Sequence, residues 1–328
     1  MPATSRNGRH PTTIRPKVPV TTTLLVRRTR ELERHLPAAI AGDDTGVHQA
    51  RVASRRLREA VPVLAAGLKR GKKAERKIRR VTRALGTVRE MDVTMQILDE
   101  LARRPEIPRN PLEDVRAHVL AERDRRRDIM HERLTEVNTP KLSRRLNEVA
   151  FDLTDETGAT WRETLVARIN QRAKRLAAAI KAAGQMYAPE RLHQVRIATK
   201  KLRYTLELAA DSRTTAARPM VATLKRAQET LGRLNDLNVI QHHVAEVQAQ
   251  PSRRRSDTDR GLNAISGTLE QECRHLHARY IAQVPALLQV VELSRSTILA
   301  QIASAGRRNA PLKMGPPRAA RPAAARRA

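Results

Sequence analysis

The sequence predicts an all-α protein of two similar halves, and three observations carry that expectation. Apolar residues recur at helical spacing through most of the 328 positions, and no alternating stretch of useful strand length interrupts them. One segment is written twice, as Val47-His48-Gln49-Ala50-Arg51-Val52-Ala53-Ser54-Arg55-Arg56-Leu57-Arg58 and, 145 positions later, as Leu192-His193-Gln194-Val195-Arg196-Ile197-Ala198-Thr199-Lys200-Lys201-Leu202-Arg203. A second block, Leu85-Gly86-Thr87-Val88-Arg89-Glu90-Met91-Asp92-Val93, returns as Leu231-Gly232-Arg233-Leu234-Asn235-Asp236-Leu237-Asn238-Val239 at an offset of 146. The repeat divides the helical region into a first half over about 21–155 and a second over about 156–305.

Residues 1–20 are rich in Pro, Thr, Arg and Lys without periodicity and read as a disordered basic arm. From Thr21, the positions of Leu24, Leu25, Leu32, Leu36 and Ile40 define a first helix with Arg27, Arg30 and Arg34 on its other face. Gly42 ends it, and Asp43, Asp44 or Thr45 supplies the cap of the helix that carries the first copy of the repeat. A third helix is expected from about Lys72 to Leu85, with Arg76, Arg79 and Arg83 along one side, and a fourth from about Glu90 to Ala102. In the Leu85-Gly86 block a glycine after leucine suits a helix end, and a polar residue before valine suits the next start. Pro105 to Pro111 breaks the chain before a long charged helix to about Val137 and a shorter one from Lys141 to Asp152.

The second half opens with a helix from Trp161 to Met186 that carries Arg168, Arg172 and Arg175. Pro189 begins the repeat helix in the favoured first-turn position. Pro219–Leu231 matches the third helix, and later helices are expected over Leu237–Gln248, Asp257–Ile281 and Pro285–Ser304. Residues 306–328 are Pro, Arg and Ala in the main and read as a disordered basic tail, which binds polyanions weakly and without identity.

At 100° per residue, His48, Arg51, Arg55 and Arg58 share one stripe, with Arg56 at its margin, while Ala50, Ala53, Leu57, Ala60, Val61 and Leu64 lie opposite. The stripe is about 15 Å long at the α-helical rise, enough to meet several anionic groups in a row. The plain alternative is a solvated face. Against it, no carboxylate intersperses the segment from Val47 to Arg58, and the cation register recurs in the second copy with Lys200 and Lys201 in place of Arg55 and Arg56.

Composition points the same way. Lys and Arg number 64 against 34 Asp and Glu, a formal charge of +30 that gathers polyanions. Aromatics make up only 2%, so the chain has almost no platforms on which to stack bases, and a polyanion without bases fits best. A single cysteine, Cys273, excludes an internal disulfide, and no apolar run approaches a membrane span, so a cytoplasmic protein without membrane contact is expected.

The two blocks, each present twice in the same order, resemble the CHAD family of histidine-containing α-helical domains, over roughly Thr21 to Ala305. The resemblance implies two antiparallel four-helix bundles related by a pseudo-two-fold axis, and basic surfaces that bind inorganic polyphosphate and can bring a protein to polyphosphate granules. It implies a binding set of His48, Arg51, Arg55, Arg56 and Arg58 in the first motif and His193, Arg196, Lys200, Lys201 and Arg203 in the second. Arg79, Arg80, Arg83, Lys225 and Arg226 are the matching third-helix cations. This chain departs from the pattern at Asn235 and Asn238, and Glu229 stands where the first half has Arg83, so the two basic faces need not bind equally.

Other chemistry has weaker support. Glu31-Leu32-Glu33-Arg34-His35 is similar to the alternating carboxylate strand of triphosphate-hydrolysing CYTH domains, but the surroundings are helical and His replaces the last Lys. Gly67 to Lys73 lacks both the spacing and the hydroxyl of a phosphate-binding loop. His48 and His193 could converge on a metal, and Cys273, His275 and His277 are closely spaced, yet neither set has ligand spacing on one helix face, so no metal or other cofactor is expected. The two motif histidines are read either as phosphate contacts or as first-turn side chains bonded to a neighbouring helix. The stripe offers cations but no positioned carboxylates for phosphoryl transfer, so a non-enzymatic binder is expected. The rival reading is a sequence-indifferent DNA or RNA binder, or weak nucleic-acid contact through the two basic ends.

Overall fold

A computed structural model of the chain describes residues 18–153, 157–250, 256–298 and 300–302, and all of the regular structure in them is helical. In chain order the elements are α1 (Val20–Ile40), α2 (Asp44–Leu64), α3 (Lys69–Ala102), α4 (Arg109–Thr135), α5 (Thr139–Phe151), α6 (Thr157–Ala183), α7 (Pro189–Asp211), α8 (Ala217–Gln248) and α9 (Ser256–Leu293), with a π-helical turn at Ser294–Ile298. The arm over 1–17, the division near 155 and the tail from 306 lie outside the described residues.

The corner between α1 and α2 sets the first motif. Gly42 takes φ +85°, a left-handed conformation that a side chain resists, and ends α1. The side chain of Asp43 then caps α2 by accepting from the Gly46 amide, satisfying a donor the helix itself leaves open. A Cβ on Gly46 would lie 2.7 Å from both Ala38 Cβ and Ala39 N, so the two helices touch there backbone to backbone. His48 begins its turn from this fixed point. The inner face of α2 is buried as the spacing predicts, with Ala50, Leu57, Val61 and Leu64 each at 1% exposure or less.

Three expected helix boundaries are not present. The third and fourth helices are one, because α3 runs unbroken from Lys69 to Ala102 through Gly86, and α8 likewise passes through Gly232. The apolar stripe explains the continuity: Ile78, Val81, Leu85, Val88, Met91 and Leu98 are all fully buried in one helical register, which tertiary packing enforces over the local weakness of glycine. The polar residues after each glycine are therefore not caps. In the same way α9 continues past Pro285, since Tyr280, Leu287 and Val291 keep one buried face in phase across it.

Helices adjacent in sequence pack on one another, α1 on α2, α2 on α3 and α3 on α4, and the series α6 to α9 repeats this pattern. Corresponding helices of the two series also meet: α2 touches α7, α3 touches α8 and α4 touches α9. The apolar core does not follow the division of the sequence. One cluster joins α1, α2, α5, α6 and α7 with the first halves of α3 and α8 and the later parts of α4 and α9. A second, beyond the glycines, is made by the later parts of α3 and α8 and the early parts of α4 and α9. Ion pairs stitch the series together, a buried Arg28 to Asp211 at the surface at 2.5 Å and Arg172 to Glu59, both buried, at 2.6 Å.

Candidate anion-binding site

The contact of α2 with α7 brings the two copies of the charge stripe together. Arg51, Arg55, Arg196 and Lys200 form one cluster in which each cation lies within electrostatic reach of the others. Burial, then Arg55, Arg196 and Arg89 nearby, lower Arg51 to about 10. Burial, with Arg196, Arg55 and Arg51, lowers Lys200 to about 6. The Nε atoms of Arg51, Arg55 and Arg196 are buried and donate no hydrogen bond within the protein. Buried donors of this kind carry a desolvation cost that an anion would offset.

The third helices of each series flank the cluster. Arg89 on α3 stands beside His48 and Arg51, and Arg79 beside Arg58. Burial, then Arg89 and Arg51, push His48 below the ordinary histidine range. On α8, Asn235 Oδ1 is 2.5 Å from His193 Nδ1, so the second histidine is bonded to a neighbouring helix. Asp236 lies 3.9 Å from Arg196, and burial raises its carboxyl against the pull of Arg196 and Lys200. Glu90 is the other carboxylate that reaches Arg196. Two acids thus face four central cations. Gly86 lies on the same face of α3 as Arg79, Arg83 and Arg89 and Gly232 on the same face of α8 as Asn235, and a Cβ on either would meet nothing within 4 Å.

Other members of the expected set lie at the edge of the cluster beside protein partners or away from it. Arg203 donates to Gln228 and Glu207 and lies over the Tyr204 ring at 4.5 Å, so it is held by the protein. Arg56 sits between Glu31 and Glu207 at 3.9 and 3.8 Å, and Arg58 is 3.9 Å from Glu59. Lys201 lines a separate recess of about 210 Å³ with Arg172 and Arg175. Arg80 belongs to an outer group with Lys77, Lys141 and Arg145, on the side where α3 meets α5. Arg83, Lys225 and Arg226 are exposed on α3 and α8, and Arg79 is bonded to Glu75 at 2.7 Å.

A feature that the sequence reading missed lies beside the cluster. A cavity of about 460 Å³ is lined by Glu90, Glu122, His193 and Asn235, together with His118, His243 and Glu246. Its last three residues place one nitrogen or oxygen each within 4.8 Å of one another. Cys273 is buried next to Asn238, which accepts from the Tyr187 hydroxyl at 2.7 Å. Asp92, the counterpart of Asn238, is buried and accepts from Arg123 Nε at 2.8 Å. The second repeated block is therefore a set of inter-helix ties.

These features define a class, an internally repeated helical protein whose two series meet over a shared cationic cluster. The chain belongs to the CHAD domain family, whose model matches residues 23–245. Its fold is similar to that in a crystal structure of the CHAD domain from the plant Ricinus communis, at TM-score 0.58 and 25% identity over 83% of this chain and 90% of that one. It is also similar to PptA from Streptomyces chartreusis, at TM-score 0.62 and 14% identity over 81% of this chain and 98% of the other. No curated protein sequence matches it. Among the described residues, no helix is long and apolar enough to cross a membrane.

Proposed function

We propose that this protein binds inorganic polyphosphate, without chemical turnover, through the cluster of Arg51, Arg55, Arg196 and Lys200. The observation that carries the reading is the meeting of four cations from two repeated helices with buried guanidinium N–H groups that have no partner inside the protein. Membership of the CHAD family and the shortage of aromatics support it further. Arginine forks match pairs of phosphate oxygens and lysine adds a point charge, so a flexible phosphate chain can be followed oxygen by oxygen. Contacts that neutralise ground-state phosphate charge evenly along a chain give affinity rather than acceleration. Recruitment to cytoplasmic polyphosphate granules follows from the same reading.

A competition titration tests it. Long-chain polyphosphate should bind at a concentration of phosphate at which duplex DNA fails to displace it, with or without residues 1–17 and 306–328. The double variant Arg51→Glu, Arg196→Glu should lose most of the affinity, and no orthophosphate should appear with divalent metal present. Displacement by DNA at equal phosphate concentration overturns the reading in favour of a general nucleic-acid binder.

A further inference from the structure

We infer that His118, His243 and Glu246 form a binding site for a divalent transition metal of the Zn²⁺ class at the cavity between α4 and α8. His118 Nε2 and His243 Nδ1 each lie 2.9 Å from the same carboxylate oxygen, Glu246 Oε2. His242 Nε2 reaches the other oxygen, Oε1, at 3.2 Å. His243 and Glu246 stand one helical turn apart on α8, and the His118 and His243 rings are tilted with centroids 5.5 Å apart. Ligands about 2.0–2.2 Å from a tetrahedral zinc are themselves about 3.3 Å apart, so small side-chain rotations seat an ion among these three atoms. His243 is 4% exposed and is held in place by the packing of α8, which fixes one ligand before any ion arrives.

The choice of residues is the second argument. With 64 Lys and Arg available, this chain meets its other well-placed carboxylates with guanidinium: Glu59 with Arg172, Glu90 and Glu122 with Arg126, Glu272 with Arg104 and Arg233. Glu246 alone among those carboxylates meets imidazoles, and three of the chain's 10 histidines converge on it. A structural ion pair has no need of that substitution. A metal site does, because imidazole nitrogen is a borderline ligand suited to zinc and its neighbours in the series. Two histidines and one carboxylate leave a coordination position open to the cavity, for water, His242 or an anion. The site shares its cavity with His193 beside the proposed polyphosphate cluster, but none of its ligands belongs to that cluster and the inference does not rest on it.

The test uses the full chain without a histidine tag, stripped by chelator, and measures Zn²⁺ by competition with a chromogenic chelator and Co²⁺ by visible absorption. One equivalent of Zn²⁺ should bind, at least tenfold more tightly than to His243→Ala or to Glu246→Gln, with Co²⁺ giving ligand-field bands absent from both variants. Glu246→Gln keeps an acceptor oxygen for both imidazoles, so it preserves a purely structural network and decides the matter if His243→Ala unfolds. Equal Zn²⁺ affinity in the parent protein and Glu246→Gln, or less than one equivalent in the parent, overturns the proposal.

Discussion

Arg172 Nη2 lies 2.6 Å from Glu59 Oε2 in a contact where both side chains are almost fully buried, and it joins helices from opposite series of the repeat. Arg168 approaches the same oxygen at 3.4 Å. Removing the carboxylate leaves buried cations without compensation. Glu59→Ala is expected to cost about 3–5 kcal/mol, read as a fall in the urea midpoint. A loss under about 1 kcal/mol would put this pair among ordinary surface contacts.

Lys200 gives the protein a dependence on pH whose sign can be worked out. Its folded value of about 6 is below that of the unfolded chain, so between the two the unfolded state holds a proton that the folded state lacks. Stability from this group therefore rises as pH climbs from about 6 towards the free lysine value, and its penalty is fully present below 6. Urea midpoints of the parent should rise from pH 6.5 to 9 more steeply than those of Lys200→Met. A polyanion favours the charged form, so its binding should take up protons at pH 8, seen as a calorimetric heat that varies with buffer ionisation.

The glycines inside α3 and α8 make a paired prediction. Nothing obstructs a side chain at Gly86 or Gly232, so each change to alanine should stabilise the protein by up to about 1 kcal/mol in thermal unfolding. Glycine kept in a helix at that disadvantage suits a backbone that a ligand approaches closely. Gly232→Leu should accordingly weaken polyphosphate binding at least tenfold while the helix content stays constant. Gly46→Ala should do the opposite to stability, because its Cβ meets α1 backbone at 2.7 Å.

The cations of the stripe should separate by their partners. Arg51→Gln and Arg196→Gln should each lower polyphosphate affinity and reduce the slope of log affinity against log salt by about 0.7–0.9, the value for one released counterion on a nucleic-acid strand. Arg203, already engaged by Glu207 and Gln228, should matter less, and Arg80 on the far side of α3 should leave the salt slope unchanged. Equal effects at Arg51 and Arg80 would mean that net charge alone, not the cluster, holds the ligand.

The helical class and the stripe were legible because both rest on local periodicity. His48, Arg51, Arg55 and their copies announce themselves within one helix each, and the α1 end at Gly42 and the cap at Asp43 have turn chemistry that acts within a few residues. Gly86 misled because its helical disadvantage is local while the burial of Leu85, Val88 and Met91 that overrides it is not. Pro285 misled for the same reason. The grouping of His118 with His243 and Glu246 spans up to 128 residues and exists only through the packing of α4 on α8, so no spacing rule on one helix could reveal it. The neutralisation of Arg203 and Arg56 by Glu207 also depends on side-chain directions that a helical wheel does not supply.

The unbroken passage of α3 and α8 through both apolar clusters has a bearing on ancestry. A polypeptide carrying one copy of the repeat would keep Leu112, Val115 and Val119 over one side of its third helix but leave open the side where Met91, Leu98 and Leu101 now join Leu237, Ile240 and Val244. Such a polypeptide could hide that surface against a twin turned about a two-fold axis, as closed homodimers do. On this view the present molecule is a dimer whose subunits were fused, after which Lys200 could diverge from Arg55 and Asn235 from Arg89 without either change being imposed twice.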